Sequence, residues 1–181
     1  MNAPVSTDGV QAVGFSAAID HAIERIGRAA SWLTLAIAAL MAINVLLRYA
    51  FSIGSVWSQE LEWHLLAPLV LVGMTYALNQ GEHVRVDVLY ARYSPRMQAA
   101  VDLLGSVLAV LLGILIIRYS INYVMQSYSI DETSADPGGL THRWILKALI
   151  PIGFALFALQ AAAQAVAVAR RLSALGRSST Q

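Results

Sequence analysis

Glu60, Glu62 and His64 fall within five residues of one another in the stretch WSQELEWH, residues 57–64, which runs directly into an apolar segment. Two carboxylates beside an imidazole could serve acid–base catalysis, and the imidazole could ligate haem iron. Paired-carboxylate chemistry needs both groups on one face. On a helix, positions 60 and 62 point to different sides, whereas Trp57, Glu60 and His64 share one stripe at i, i+3 and i+7. A haem needs two axial ligands at similar depth, and His64 and His83 stand at opposite ends of one apolar segment, so the second ligand would have to come from another chain. The sequence contains no cysteine, which removes thiolate catalysis, cysteine-ligated metal and disulfides. The reading that remains is electrostatic. Glu60 pairs with Arg48 across a hairpin, or with a partner subunit, while Trp57 and Trp63 anchor the water–lipid boundary. The chain is therefore expected to be no enzyme and to carry no cofactor or metal.

The elements that would position these groups are set by composition. Of 181 residues, 57% are hydrophobic and 13% charged, against roughly 45–50% and about 25% in soluble domains. Mean hydropathy is +0.61. So few charges cannot cover so much apolar surface in water, which makes this a membrane protein. The formal net charge of +1 gives no field that would attract nucleic acid. Four apolar segments stand out: 29–47 between Arg28 and Arg48, about 63–78 containing Pro68, 103–117 between Asp102 and Arg118, and 148–169 between Lys147 and Arg170–Arg171. At about 1.5 Å per residue the first spans roughly 28 Å, close to a hydrocarbon core. The expected fold is all-α, with four transmembrane helices in one membrane domain over 15–172. A flexible tail precedes it over 1–14, and a polar tail follows over 173–181. Pro68 and Pro151 should bend helices two and four.

Orientation follows from Lys and Arg. Eight lie on the side of the termini and the second loop (Arg25, Arg28, Arg85, Arg92, Arg96, Arg170, Arg171, Arg177), and four on the other (Arg48, Arg118, Arg143, Lys147). Both termini should be cytoplasmic. The first 14 residues show no basic n-region or cleavage motif, so no removable leader is expected. Residues 15–30 place Phe15, Ile19, Ala22, Ile23, Ile26 and Ala30 on one helical face, with Asp20, His21, Glu24, Arg25 and Arg28 opposite. That pattern predicts an amphipathic helix at the cytoplasmic surface, with Glu24 and Arg28 spaced as an i,i+4 pair. Residues 82–96 carry Arg85, Arg92 and Arg96 on one stripe and predict a short interfacial segment between helices two and three.

Ionisable groups deep in a bilayer are costly and mark transport paths. Here every Asp, Glu, Lys and Arg falls at a segment end or beyond it, and the deep polar residues are Asn44, Thr75, Gln160 and Gln164. A carrier acting alone would be expected to place more polar groups at mid-membrane, so this chain is not expected to bind a substrate for transport by itself. Packing is the alternative use of its helices. Gly105, Ala109 and Gly113 follow small-xxx-small spacing, and Gln160 and Gln164 lie one turn apart. Either set could meet another helix of this chain or a partner chain.

Arg48, the WSQEL at 57–61, Gly73 with Ala77, and EHVRVD at 82–87 occur in an order that resembles the small membrane subunit of tripartite ATP-independent periplasmic (TRAP) transporters, the DctQ-like family. That pattern has an arginine closing helix one, a Trp-x-x-Glu-Leu opening helix two, a glycine within helix two and a His-hydrophobic-x-Val-Asp after it. The last falls on His83, Val84, Val86 and Asp87. The similarity covers about residues 20–170 without departure from the core pattern. Glu62 and His64 are not part of it and take no role from it. The resemblance implies a sodium-coupled importer of small organic acids in a bacterial inner membrane. A periplasmic binding protein delivers the solute, and a large polytopic subunit carries it. This chain would brace the scaffold in the lipid bilayer. Arg48, Trp57, Glu60, Gly73, Gly105 and Gly113 would then be structural or interface residues, and His83 and Asp87 would shape the turn after helix two. A haem-bearing anchor of a respiratory enzyme is one alternative. The small subunit of the tripartite tricarboxylate transporters is another, against which the Trp57–Leu61 and His83–Asp87 motifs argue. The transported substrate is not legible, because it is selected in other subunits.

Overall fold

A computed structural model describes the backbone of residues 7–81 and 90–177, and the side chains of 17–81 and 90–174. The described residues form four long helices: α1 (Thr7–Phe51), α2 (Val56–Gln80), α3 (Pro95–Ser129) and α4 (Trp144–Arg177). All four are long and apolar enough to cross a membrane, so this is a multi-pass membrane protein. At 1.5 Å per residue α1, α3 and α4 measure about 68, 52 and 51 Å, well beyond a hydrocarbon core of about 30 Å. They must tilt or project from it.

Local chemistry sets the helix ends. Ser94 caps α3 by accepting from the Met97 N–H at 3.3 Å, and Pro95 follows in the first turn, where its missing N–H costs nothing. Gly81 closes α2 at φ 76°, and its N–H reaches the Ala77 and Leu78 carbonyls. At the end of α1 a serine takes that left-handed role. Ser52 sits at φ 56°, and the N–H groups of Ser52 and Ile53 fall on the Arg48 and Leu47 carbonyls at 3.1 Å.

The helices form a slab. α3 packs on α4, α4 on α2, and α2 on α1, with α1 also meeting α4 at the end where both termini lie. The interior reverses that of a soluble protein. Its buried apolar residues are Ile19, Ile23, Leu78 and three alanines, matched by buried Glu60, Thr75, Ser106, Ser120, Ser127 and Gln160. Large apolar side chains such as Leu104, Leu108, Leu111 and Leu115 face outward. Lipid solvates those tails as well as a core would, so association relies on close backbone approach and polar contacts. On α3 the buried residues are Ala99, Ser106, Gly113, Ser120 and Ser127. They recur every seven residues, the 3.5-residue period that keeps one seam against a neighbour along a left-handed crossing.

The amphipathic stretch and the two prolines all lie within the long helices. The amphipathic stretch is no separate element, because it continues without a break into the first span. Its Ile19 and Ile23 are buried with Ala163 of α4, so part of the expected lipid-facing stripe packs within the chain. α1 begins at Thr7 and α4 continues to Arg177. Pro68 and Pro151 lie inside helices that continue past them.

Candidate functional site

At the end of the slab away from the termini, Trp57, Glu60 and His64 do share a stripe of α2. Trp57 and Trp63 are 49% and 67% exposed, as boundary anchors would be. Glu60, by contrast, is buried. Its carboxylate accepts a short hydrogen bond from Ser134 Oγ and the Leu140 N–H at 2.5 Å, both in the loop joining α3 to α4. A Cβ at Gly139 would lie 2.5 Å from Ser134 Cβ and Oγ and 2.7 Å from Glu60 Oε2, so a side chain there would press on the Ser134–Glu60 contact. Within the loop Ser134 N–H donates to Leu140 O, Gly139 N–H to Asp136 O and Arg143 N–H to Glu132 O, each at 3.0 Å. Glu132 also binds Lys147, whose Nζ stands 3.9 Å from the Tyr123 ring centroid. The Lys147 hydrogen bond above all holds the Glu132 carboxyl below its ordinary range.

This geometry replaces the expected Arg48–Glu60 pair. Glu24–Arg28 and Glu132–Lys147 form ion pairs, whereas Glu60 spends its carboxylate on loop donors. Arg48 lines a shallow crevice of about 30 Å³ with Asn44, Ser55, Ser58 and Gln59. Glu62 has its own partner, since Asn44 Nδ2 donates to it at 2.6 Å and Ser58 Oγ donates to Asn44 Oδ1 at 2.8 Å. The deep Asn44 therefore ties α1 to α2. His64 Nδ1 donates to the Glu60 carbonyl at 2.8 Å. The two carboxylates thus serve different contacts on different faces, and no paired acid–base arrangement forms.

The glycines divide as well. A Cβ on Gly113 would fall 2.8 Å from Ala158 Cβ, whereas Gly73 and Gly105 have nothing within 4 Å of theirs. Gly113 therefore packs inside the chain, and the 105–109–113 stripe is not the seam that α3 uses. His83 and Asp87 lie outside the described residues.

At the termini end the structure assembles a polar junction that the sequence pattern had not indicated. Asp20 Oδ1 accepts from Asn79 Nδ2 at 3.0 Å and from Gln160 Nε2 at 2.8 Å, joining α1, α2 and α4. Gln164 Nε2 donates to the Leu78 carbonyl at 2.5 Å. The helical wheel puts Asp20 on the polar face of the amphipathic stretch, yet it borders Ile19 and Ile23 on the circumference and turns inward beside them. The usable signal was the Gln160–Gln164 pair, two amides in an apolar helix that each required a partner.

Comparison with known proteins gives concordant results. Residues 15–171 match the family described as tripartite ATP-independent periplasmic transporters, DctQ component. A protein of Haemophilus influenzae named as a TRAP transporter small permease is 32% identical over 122 residues, covering 65% of this chain and 76% of that protein. The ectoine TRAP transporter small permease protein TeaB of Halomonas elongata is 24% identical over 117 residues, covering 65% of this chain and 60% of TeaB.

Proposed function

The chain belongs to the DctQ component family of tripartite ATP-independent periplasmic transporters, and from that premise we propose that it is the accessory scaffold subunit of a sodium-coupled importer of small organic acids. It holds the large polytopic transport subunit in the bacterial inner membrane, receives no substrate itself, and works with a periplasmic binding protein that delivers the solute. Both termini face the cytoplasm. The loop from Ile130 to Arg143 and the Ser52–Ser55 turn then face the periplasm.

The observation that carries this reading is the internal use of the polar groups. Asn44, Gln160, Gln164 and the carboxylates of Asp20, Glu60 and Glu62 bond to one another or to backbone of the same chain. A substrate or ion site would need such groups converging on a cavity. The same reasoning divides the interface residues. Glu60 and Gly113 are engaged within the subunit, so Arg48, Trp57, Gly73 and Gly105 are the positions left to meet the partner, with His83 and Asp87 shaping the turn after α2. Ectoine is said of TeaB alone and names no substrate for this chain.

The test is mild-detergent affinity purification of this subunit from its native membrane, with mass spectrometry of the proteins retained. A stoichiometric polytopic membrane protein encoded beside it is the expected result. Recovery of soluble redox subunits, or of no partner, would refute the scaffold role.

A further inference from the structure

The junction of α1, α2 and α4 holds more hydrogen-bond acceptors than committed donors, and the imbalance centres on one atom. Gln160 is 1% exposed. Its Nε2 donates to Asp20 Oδ1 at 2.8 Å, while its Oε1, on the same amide, meets no N–H or O–H of the described residues. A carbonyl oxygen in that position keeps the full cost of losing water unless a donor reaches it. Three described side-chain donors of α2 and α4 each direct an N–H or O–H to another acceptor. Asn79 Nδ2 points to Asp20 at 3.0 Å, Gln164 Nε2 to Leu78 O at 2.5 Å, and Thr75 Oγ1 to Leu71 O at 3.2 Å. None of these groups reaches Gln160 Oε1, so its partner is a small donor from outside the described residues.

We propose that the junction binds one ordered water molecule, which donates to Gln160 Oε1 and to the Asp20 carboxylate. The Asn79 amide uses one of its two N–H groups on Asp20, so the other can donate to the water oxygen. Three bonds of this kind suit a buried water, which typically makes two to four. The water completes a polar tie between three helices, beside the apolar contact of Ile19 and Ile23 with Ala163. Loss of Gln160 would therefore loosen α4 from both neighbours at once.

The test is a cryo-EM map of the intact transporter complex at a resolution that shows waters, recorded in sodium chloride and again in choline chloride. The expected result is a density peak about 2.8 Å from both Gln160 Oε1 and an Asp20 carboxylate oxygen, present in both salts. Gln160→Met should remove the peak and lower the melting temperature of the complex. Three results would overturn the proposal. The first is direct contact between Asp20 Oδ2 and Gln160 Oε1 with no peak, which would assign the missing donor to a carboxyl proton. The second is a peak clearly closer than a hydrogen bond and seen only with sodium, which would make the guest a cation. The third is no peak and no such contact. The wild-type map decides the matter even where Gln160→Met does not assemble.

Discussion

Gly113→Ala and Gly105→Ala make the same chemical change eight residues apart on one helix, and the structure predicts opposite outcomes. Replacing glycine by alanine in a helix interior should stabilise by about 0.5–1 kcal/mol through reduced backbone entropy in the unfolded chain. At Gly105 the new methyl meets nothing within 4 Å, so that gain should stand. At Gly113 the methyl would lie 2.8 Å from Ala158 Cβ and 3.4 Å from both Ala158 Cα and Phe154 O. None of these atoms belongs to the end of a flexible side chain, so the helices must separate. Overpacking of this kind costs about 1–3 kcal/mol. Because the propensity gain is common to both variants, their difference isolates the packing cost. At roughly 2–4 °C per kcal/mol for a chain of this size, Gly113→Ala should melt about 2–12 °C below Gly105→Ala. Purified subunit in mild detergent, followed by tryptophan fluorescence, would measure it. Trp144 packs edge-on against Tyr128 at 5.4 Å between ring centroids and so reports on the α3–α4 contact. Equal melting temperatures for the two variants would refute packing of α3 on α4 through Gly113, and with it the seven-residue seam.

Glu60→Gln turns an amide N–H₂ toward donors that now meet a carboxylate and leaves one of them unpaired, so the Leu140 amide should exchange hydrogen roughly tenfold or more faster. Glu62→Gln keeps an oxygen for Asn44 and should leave Leu140 unchanged; equal effects from the two variants would contradict the assignment. Because the folded-state pKa of Glu132 is depressed by Lys147, the stability it contributes is present above the unfolded carboxyl value, near 4.3, and is lost as pH falls through the folded value. Melting temperature should therefore drop on acidification below about pH 4.3, less steeply in Glu132→Gln, and parallel profiles would exclude that role. A Cβ on Gly27 would run into Cβ and Cγ of Tyr76, so Gly27→Ala should destabilise the α1–α2 contact, and less so in a Tyr76→Ala background. A double-mutant cycle should show coupling of about 0.5–3 kcal/mol, and strict additivity would rule out the contact.

The sequence by itself determined that this chain is a four-helix membrane protein, because span length and apolar content are local properties read against a fixed bilayer thickness. It also carried the family, since the Arg48, Trp57–Leu61 and His83–Asp87 motifs stand in order along the chain. It singled out Glu60 and Gly113 as residues under constraint, and the i,i+4 spacing located the Glu24–Arg28 pair. What it could not assign were partners. Glu60 is held by Ser134 and Leu140, which lie 74 and 80 residues away, and no local period encodes a contact over that distance. Asp20 lies on the polar side of a helical wheel and is half-buried only because α4 brings Gln160 to it, 140 residues later. Several small-residue stripes run along α3, and the neighbouring α4 selects among them by the angle at which two long helices stay in contact. The tertiary structure alone decided these matters, because which face of a helix is interior is a property of its neighbour.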